Sequence, residues 1–127
     1  MITADQLVCH AVGDYILQSD WMANEKTKRS LAALIHVVTY ALPFLFLRPS
    51  ALALAVIVST HFVIDRWRLA RFVCWAKNRP WPGTGPWAEC AATGYPAERP
   101  PWLSTWLLII ADNIMHVVIN GLALAYL

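Results

Sequence analysis

The sequence predicts an all-α membrane protein, a polytopic four-helix bundle with a Pro-rich cytoplasmic loop. Three observations carry this expectation. Hydrophobic residues fill 58% of the 127 positions and charged residues only 14%, against about 25% charge in ordinary soluble domains. Mean hydropathy is +0.47. The apolar residues also gather into four long stretches, divided by short charged or proline-rich segments, as spanning helices are. The length suits a single integral membrane domain over residues 1–127.

The first stretch runs from about Ala4 to Ala23 and is the least apolar. His10, Asp14 and Gln18 recur every four residues, which gives one polar stripe on an apolar cylinder. A helix lying on the membrane surface would carry Lys and Arg on that stripe. None is there, so the segment is expected to span or to be half-buried with its stripe turned inward. Asn24 to Arg29 is a polar turn containing Lys26, Lys28 and Arg29. The second stretch covers about residues 30–47, with Ser30 as a candidate N-cap and Pro43 placed to kink it. Arg48-Pro49-Ser50 makes a tight turn. The third stretch, about 51–77, is apolar to Ile64 and then continues as a basic helix through Asp65, Arg66, Arg68 and Arg71. Trp67 and Trp75 suit a membrane interface.

Residues 78–101 hold six prolines and three glycines and show neither a helix nor a strand period. So long a loop reads as a lid or binding loop, or as a linker anchored at the headgroups by Trp81, Trp87 and Trp102. The fourth stretch, about 102–127, is the longest. Only Asp112, Asn113, His116 and Asn120 interrupt it. Lys and Arg concentrate in the first and third turns, whereas the second has only Arg48. The positive-inside rule therefore places turns one and three in the cytoplasm and both termini outside.

The polar residues inside these stretches follow one repeated spacing. His10 and Asp14, His61 and Asp65, and Asp112 and His116 are each four residues apart. Chance gives a histidine an Asp at i±4, on the same helix face, roughly 8% of the time, so three of four histidines is an excess that asks for a cause. His36, the fourth, is also in apolar sequence. Imidazole and carboxylate together are a usual ligand set for zinc, iron or manganese. The plainer alternative for any one pair is a hydrogen-bonded core histidine. Counted along the helices at roughly 1.5 Å per residue, all these groups fall between the midplane and the cytoplasmic half, so they can converge. Facing lipid, each Asp would cost about 2.5–3.5 kcal/mol, so Asp14, Asp65 and Asp112 need a metal, a histidine or Arg66 as partner. The expected metal ligands are His10, Asp14, His36, His61, Asp65, Asp112 and His116, with Gln18, Tyr40 and Asn120 orienting them. The expected ion is zinc first, then manganese or iron, with room for two.

The run HAVGDYILQSDWMANEK, then His36 with Tyr40, then HFVIDRWR and DNIMH, resembles a family of small bacterial and phage membrane proteins of unknown function. That family shares H-x3-D-[YF]-x-L-Q near its start, H-x3-D in the third helix and D-x3-H in the last. The pattern also looks like the wider group of membrane-bound metal-dependent hydrolases. The resemblance covers nearly all of the chain except the proline-rich loop. Where the family pattern carries Gln before the final histidine motif closes, this chain has Asn113. It implies residence in a bacterial inner membrane, or in the host's for a phage-encoded copy.

Two function classes follow. A metal-dependent hydrolase acting on a lipid-borne phosphoester would use two ions to activate water and to steady the leaving oxygen. Asp65, as a bridging carboxylate, and Asp14 would then serve catalysis, with Arg66 and Arg68 holding the phosphate. The alternative is a non-catalytic membrane protein: a structural metal site, an ion or proton pathway, or a phage accessory that binds a host membrane protein. Membrane lipids are the expected partners, with a second copy or a host protein beyond them. The net charge of +2 is too small to suggest nucleic acid. Cys9, Cys74 and Cys90 are odd in number and lack CxxC spacing, so neither a disulfide framework nor a cysteine zinc site is expected. The N-terminal stretch lacks a basic n-region and does not read as a signal peptide.

Overall fold

The computed structural model describes residues 2–127. They are all-α, with no strand among the described residues. Contacts divide the chain into two compact units. One takes the chain up to Trp67 together with His116–Leu127, and the other is Arg68–Met115.

In the first unit, α1 (Ala4–Ala11) starts on Thr3, whose side chain accepts from the Gln6 amide. It passes into a π-helical turn, Val12–Ile16, closed by the Leu17 amide donating to the Val12 carbonyl at 3.0 Å. The chain then bends, and Ser19 caps the short α2 (Asp20–Glu25). The segment expected to be one helix over 4–23 is thus three pieces. The π turn adds a residue to the turn and Ser19 opens a new helix, and neither is visible as a break in hydrophobic period.

α3 (Ser30–Ala41) continues into a 3-10 turn, Pro43–Leu47. Pro43 has no N–H to extend the α-helical ladder, so the tighter turn starts there. Ser30 is not the N-cap; Arg29 holds that position without a side-chain bond, and the Ser30 hydroxyl instead accepts from Arg66 Nε at 3.2 Å. Arg48, at φ +51°, turns the chain into α4 (Ala51–Trp67), whose Ala53 amide donates to Ser50 Oγ. Cys9, Tyr40, Phe44, Ala53, Ile57 and Ala123 form the apolar core of this unit.

The expected continuous helix over 51–77 stops at Trp67. Arg68 has φ +53°, a conformation that leaves the α-helix, and a separate α5 (Ala70–Asn78) follows. The second unit packs the proline-rich segment against α5. The Arg68 and Arg71 guanidiniums donate to the Ala92 and Ala91 carbonyls at 2.8 Å, Trp75 Nε1 donates to the Gly85 carbonyl, and Phe72 stacks on Trp87. Gly94, at φ +84°, has no room for a Cβ beside the Arg71 carbonyl. A four-residue helix, α6 (Trp87–Cys90), interrupts the expected loop. The last helix, α7 (Pro101–Tyr126), has 26 residues. Two helical stretches, Ser30–Leu47 and Pro101–Tyr126, are long and apolar enough to cross a membrane.

Candidate metal centre

The first unit brings five of the expected ligands together. Asp14 comes from the π turn, His36 from α3, His61 and Asp65 from one face of α4, and His116 from the last part of α7. His36 and His61 are fully enclosed, His116 is 1% exposed, and Asp14 and Asp65 are also buried. Four donor atoms face one another. His36 Nε2 and His61 Nε2 are 3.0 Å apart. Asp14 Oδ1 is 3.3 Å from the first and 3.4 Å from the second. Asp65 Oδ2 is 3.1 Å and 3.2 Å from the same two nitrogens.

These separations can be compared with what a metal requires. Ligands at about 2.0–2.1 Å from a tetrahedral ion are about 3.3–3.4 Å from each other. The five separations of 3.0–3.4 Å have that edge length, and each aspartate oxygen forms a triangle of ligand size with the two imidazole nitrogens. Two further facts fit a cation. Asp14 Oδ1 is buried and accepts no hydrogen bond among the described residues, although acceptors out of reach of water are normally paired. Two imidazole nitrogens face each other across 3.0 Å, an approach that needs either a single shared proton or a cation between their lone pairs.

Asp65 reaches two places. Its Oδ1 is 3.2 Å from His116 Nε2, while Oδ2 meets His36 and His61. Two overlapping groups can hold a metal: Asp14 with His36 and His61, and His61 with Asp65 and His116. The imidazole planes are held by stacking. The Tyr40 ring is 3.7 Å from that of His61, and the His61 ring is 3.9 Å from that of His116. The Tyr40 hydroxyl accepts from Asn120 Nδ2 at 2.7 Å and is 2.9 Å from His10 Nδ1. Tyr40 and Asn120 therefore stand behind the donors, where an orienting pair is expected to stand.

The remaining expected residues are placed differently. His10 is buried beside the donors, 3.4 Å from Asp14 Oδ2, but belongs to neither group. Gln18 Oε1 is buried without a hydrogen-bond partner among the described residues. Asp112 is half-buried, lies in the second unit and is in neither group. Arg66 donates to the Thr27 carbonyl at 2.7 Å and to Ser30. Arg68 lies in the second unit, donating to Ala92. One residue of the centre was not legible beforehand. Lys26, just beyond α2, puts Nζ 2.7 Å from Asp65 Oδ2 and 3.4 Å from His36 Nε2. It sits among Lys28 and Arg29 in a polar turn, where no helical period distinguishes it from a topology signal.

An all-helical chain with a buried centre of three histidines and two aspartates, and with two helices able to cross a membrane, defines a class of protein more than an activity. The chain belongs to the family described as Protein of unknown function (DUF3307), which matches residues 2–88. That span includes Asp14, Lys26, His36, His61 and Asp65, and ends before α7 supplies His116. No curated protein and no solved structure matches the chain.

Proposed function

We propose that this protein resides in a membrane and holds a divalent metal, zinc first and manganese or iron next, between its helical segments. The observation that carries the metal is that Asp14 Oδ1 and Asp65 Oδ2 each stand 3.1–3.4 Å from both His36 Nε2 and His61 Nε2, the spacing of ligands that share an ion. The membrane is supported by what the helices expose. On α7, Trp102, Trp106, Ile110, Ile114, Val118, Leu122 and Tyr126 recur every four residues, and all are exposed. Only 22% of the most apolar window of that helix is buried, whereas a core helix of a soluble domain would be mostly covered. From Trp106 to Tyr126 the helix rises about 30 Å, the thickness of a bilayer's hydrocarbon layer, with aromatic rings at both ends. The bacterial inner membrane, or the host's for a phage-borne copy, is the proposed location.

The finer reading is a metal-dependent hydrolase acting on a lipid-borne phosphoester. It is supported by two overlapping donor groups that meet at His61 and by the placement of Asp65 beside both. Asp65 directs its oxygens to different histidines, which is the disposition of a bridging ligand between paired ions. Arg66 keeps donors beyond those spent on Thr27 and Ser30 and is the guanidinium proposed for the phosphate. A non-catalytic, structural ion is favoured by a different observation: Asp14, His36, His61, Asp65 and His116 are all buried.

Elemental analysis of detergent-purified protein tests the metal, with stoichiometric zinc expected and metal-free protein refuting it. Hydrolysis of labelled phospholipid or isoprenoid phosphate, with and without added metal, separates the two readings. If Asp65→Asn keeps the fold and abolishes cleavage, the hydrolase stands. If metal-loaded wild type cleaves nothing and Asp65→Asn merely unfolds, the ion is structural.

A further inference from the structure

Lys26 touches two of the atoms that a metal would need. Its Nζ is 2.7 Å from Asp65 Oδ2 and 3.4 Å from His36 Nε2. Those same two atoms are also in the four-donor set, 3.1 Å from each other. The chemistry of the nitrogen decides how they can be shared. An imidazole nitrogen has one lone pair, in the ring plane. If His36 Nε2 gives that pair to a metal, none is left for an ammonium. A carboxylate oxygen can serve two cations, but an ammonium beside a divalent ion then adds like charge inside a buried site. Without metal, Lys26 places an ammonium against Asp65, one of the two buried carboxylates.

We propose that Lys26 is a built-in counter-cation which occupies the metal centre when it is empty and leaves it when a divalent ion enters. This rests on the metal reading above. The lysine is placed for such an exchange. It follows the last residue of α2, a helix of six residues with none buried, and its own side chain is 17% exposed. The neighbouring Lys28 and Arg29 pair with Glu25 at the surface, so only Lys26 in this turn reaches inward. Rotation of one long, flexible side chain is enough to free Asp65 Oδ2 and His36 Nε2 without moving α3 or α4. The exchange keeps a cation at Asp65 throughout, and it sets the affinity of the centre below that of the bare donor set.

The test uses zinc as the probe and the full chain in detergent. Zinc affinity is measured by competition with a chromophoric chelator for wild type, Lys26→Met and Lys26→Arg. Lys26→Met is expected to bind at least about tenfold tighter, a difference of about 1.4 kcal/mol. Lys26→Arg, which keeps the charge, should stay within about threefold of wild type on the same scale. Because Lys26→Met removes the ammonium paired with Asp65 and can weaken the metal-free fold, a second measurement is made on wild type. Amine-selective acylation read by peptide mass spectrometry should label Lys26 several-fold faster after zinc is added, with Lys28 as the internal reference. Equal or weaker zinc binding by Lys26→Met, or Lys26 labelling unchanged by zinc, overturns the proposal while leaving the metal centre intact. Zinc retained by neither protein overturns both.

Discussion

At the scale of single residues, the centre separates donors from the groups that aim them. Tyr40 gives up no ligand atom, yet its ring lies against His61 and its hydroxyl joins Asn120 to His10. Tyr40→Phe keeps the ring and removes the hydroxyl, leaving buried polar groups unpaired at about 1–3 kcal/mol. Thermal unfolding should shift down accordingly while zinc content stays at the wild-type level; loss of zinc would make the tyrosine part of the ligand set. Asp65→Ala is the opposite case. It strips Lys26, His36, His61 and His116 of a common partner, so it should lose metal and cost about 3–5 kcal/mol, the scale for breaking a buried ion pair. For wild type, imidazole must be neutral to bind, so zinc affinity should fall as the solution is acidified; a titration from pH 8 to about 5 followed by metal retention checks the direction. That Asp14, His36, His61, Asp65 and His116 gather near Tyr40 and Asn120 was legible in sequence because each lies on a helical segment, where spacing reports direction. Lys26 was not, because a residue in a turn has no period to betray where its side chain points.

At the scale of elements, the decisive piece is the π turn at Val12–Ile16, which carries Asp14. Sequence spacing put His10, Asp14 and Gln18 on one stripe. The structure keeps the first two together, 3.4 Å apart, and the bend at Ser19 ends the stripe. A widened turn of this kind leaves no mark in hydrophobic patterning, since it inserts one residue without changing composition. The same holds for the break after α4, where a non-glycine residue, Arg68, takes a left-handed conformation that its side chain does not announce. Gly13 is the residue that lets the π turn sit against α3. A Cβ there would lie 2.5 Å from Tyr40 Cδ2 and 3.0 Å from the Tyr40 carbonyl, and the ring cannot retreat because it is fully buried against His61. Gly13→Ala should therefore destabilise by about 1–3 kcal/mol, the range for overpacking, and should lower zinc occupancy by displacing Asp14. Wild-type occupancy in a folded Gly13→Ala protein would show that the turn has slack.

At the scale of the whole molecule, the apolar surface and the buried charges make one argument. Side chains such as Leu31, Leu34, Val38 and Phe46 on α3 and its 3-10 turn, and the four-residue stripe on α7, face outward, and the carboxylates of the centre face inward. α1 and the π turn, of 8 and 5 residues, rise only about 20 Å. They stop short of a roughly 30 Å hydrocarbon layer, so this segment is expected to enter the membrane without crossing it as a single helix. α3 and α4 form a pair that returns the chain to the side it left, which brings Arg66 back to Thr27 and Ser30 beside the Lys28 turn. Single cysteines placed beside Lys28 and at Lys77 should be labelled by an impermeant thiol reagent only once the cytoplasmic side is opened. Labelling of the Lys28 position from outside intact cells would reverse the orientation. The protein should also remain with the membrane through alkaline carbonate extraction.

The distance in sequence between Asp65 and His116 has a consequence in time. The two residues are 51 positions apart, and a ribosome adds roughly 5–20 residues per second. For roughly 3–10 s of each synthesis, Asp14, Lys26, His36, His61 and Asp65 all exist and His116 does not. Through that interval the nascent chain already owns the ammonium that answers Asp65, and the carboxylate can be drawn into an apolar environment before the last helix is made. Loss of Lys26 should then be felt most during biogenesis, as a lower yield of inserted protein at unchanged synthesis.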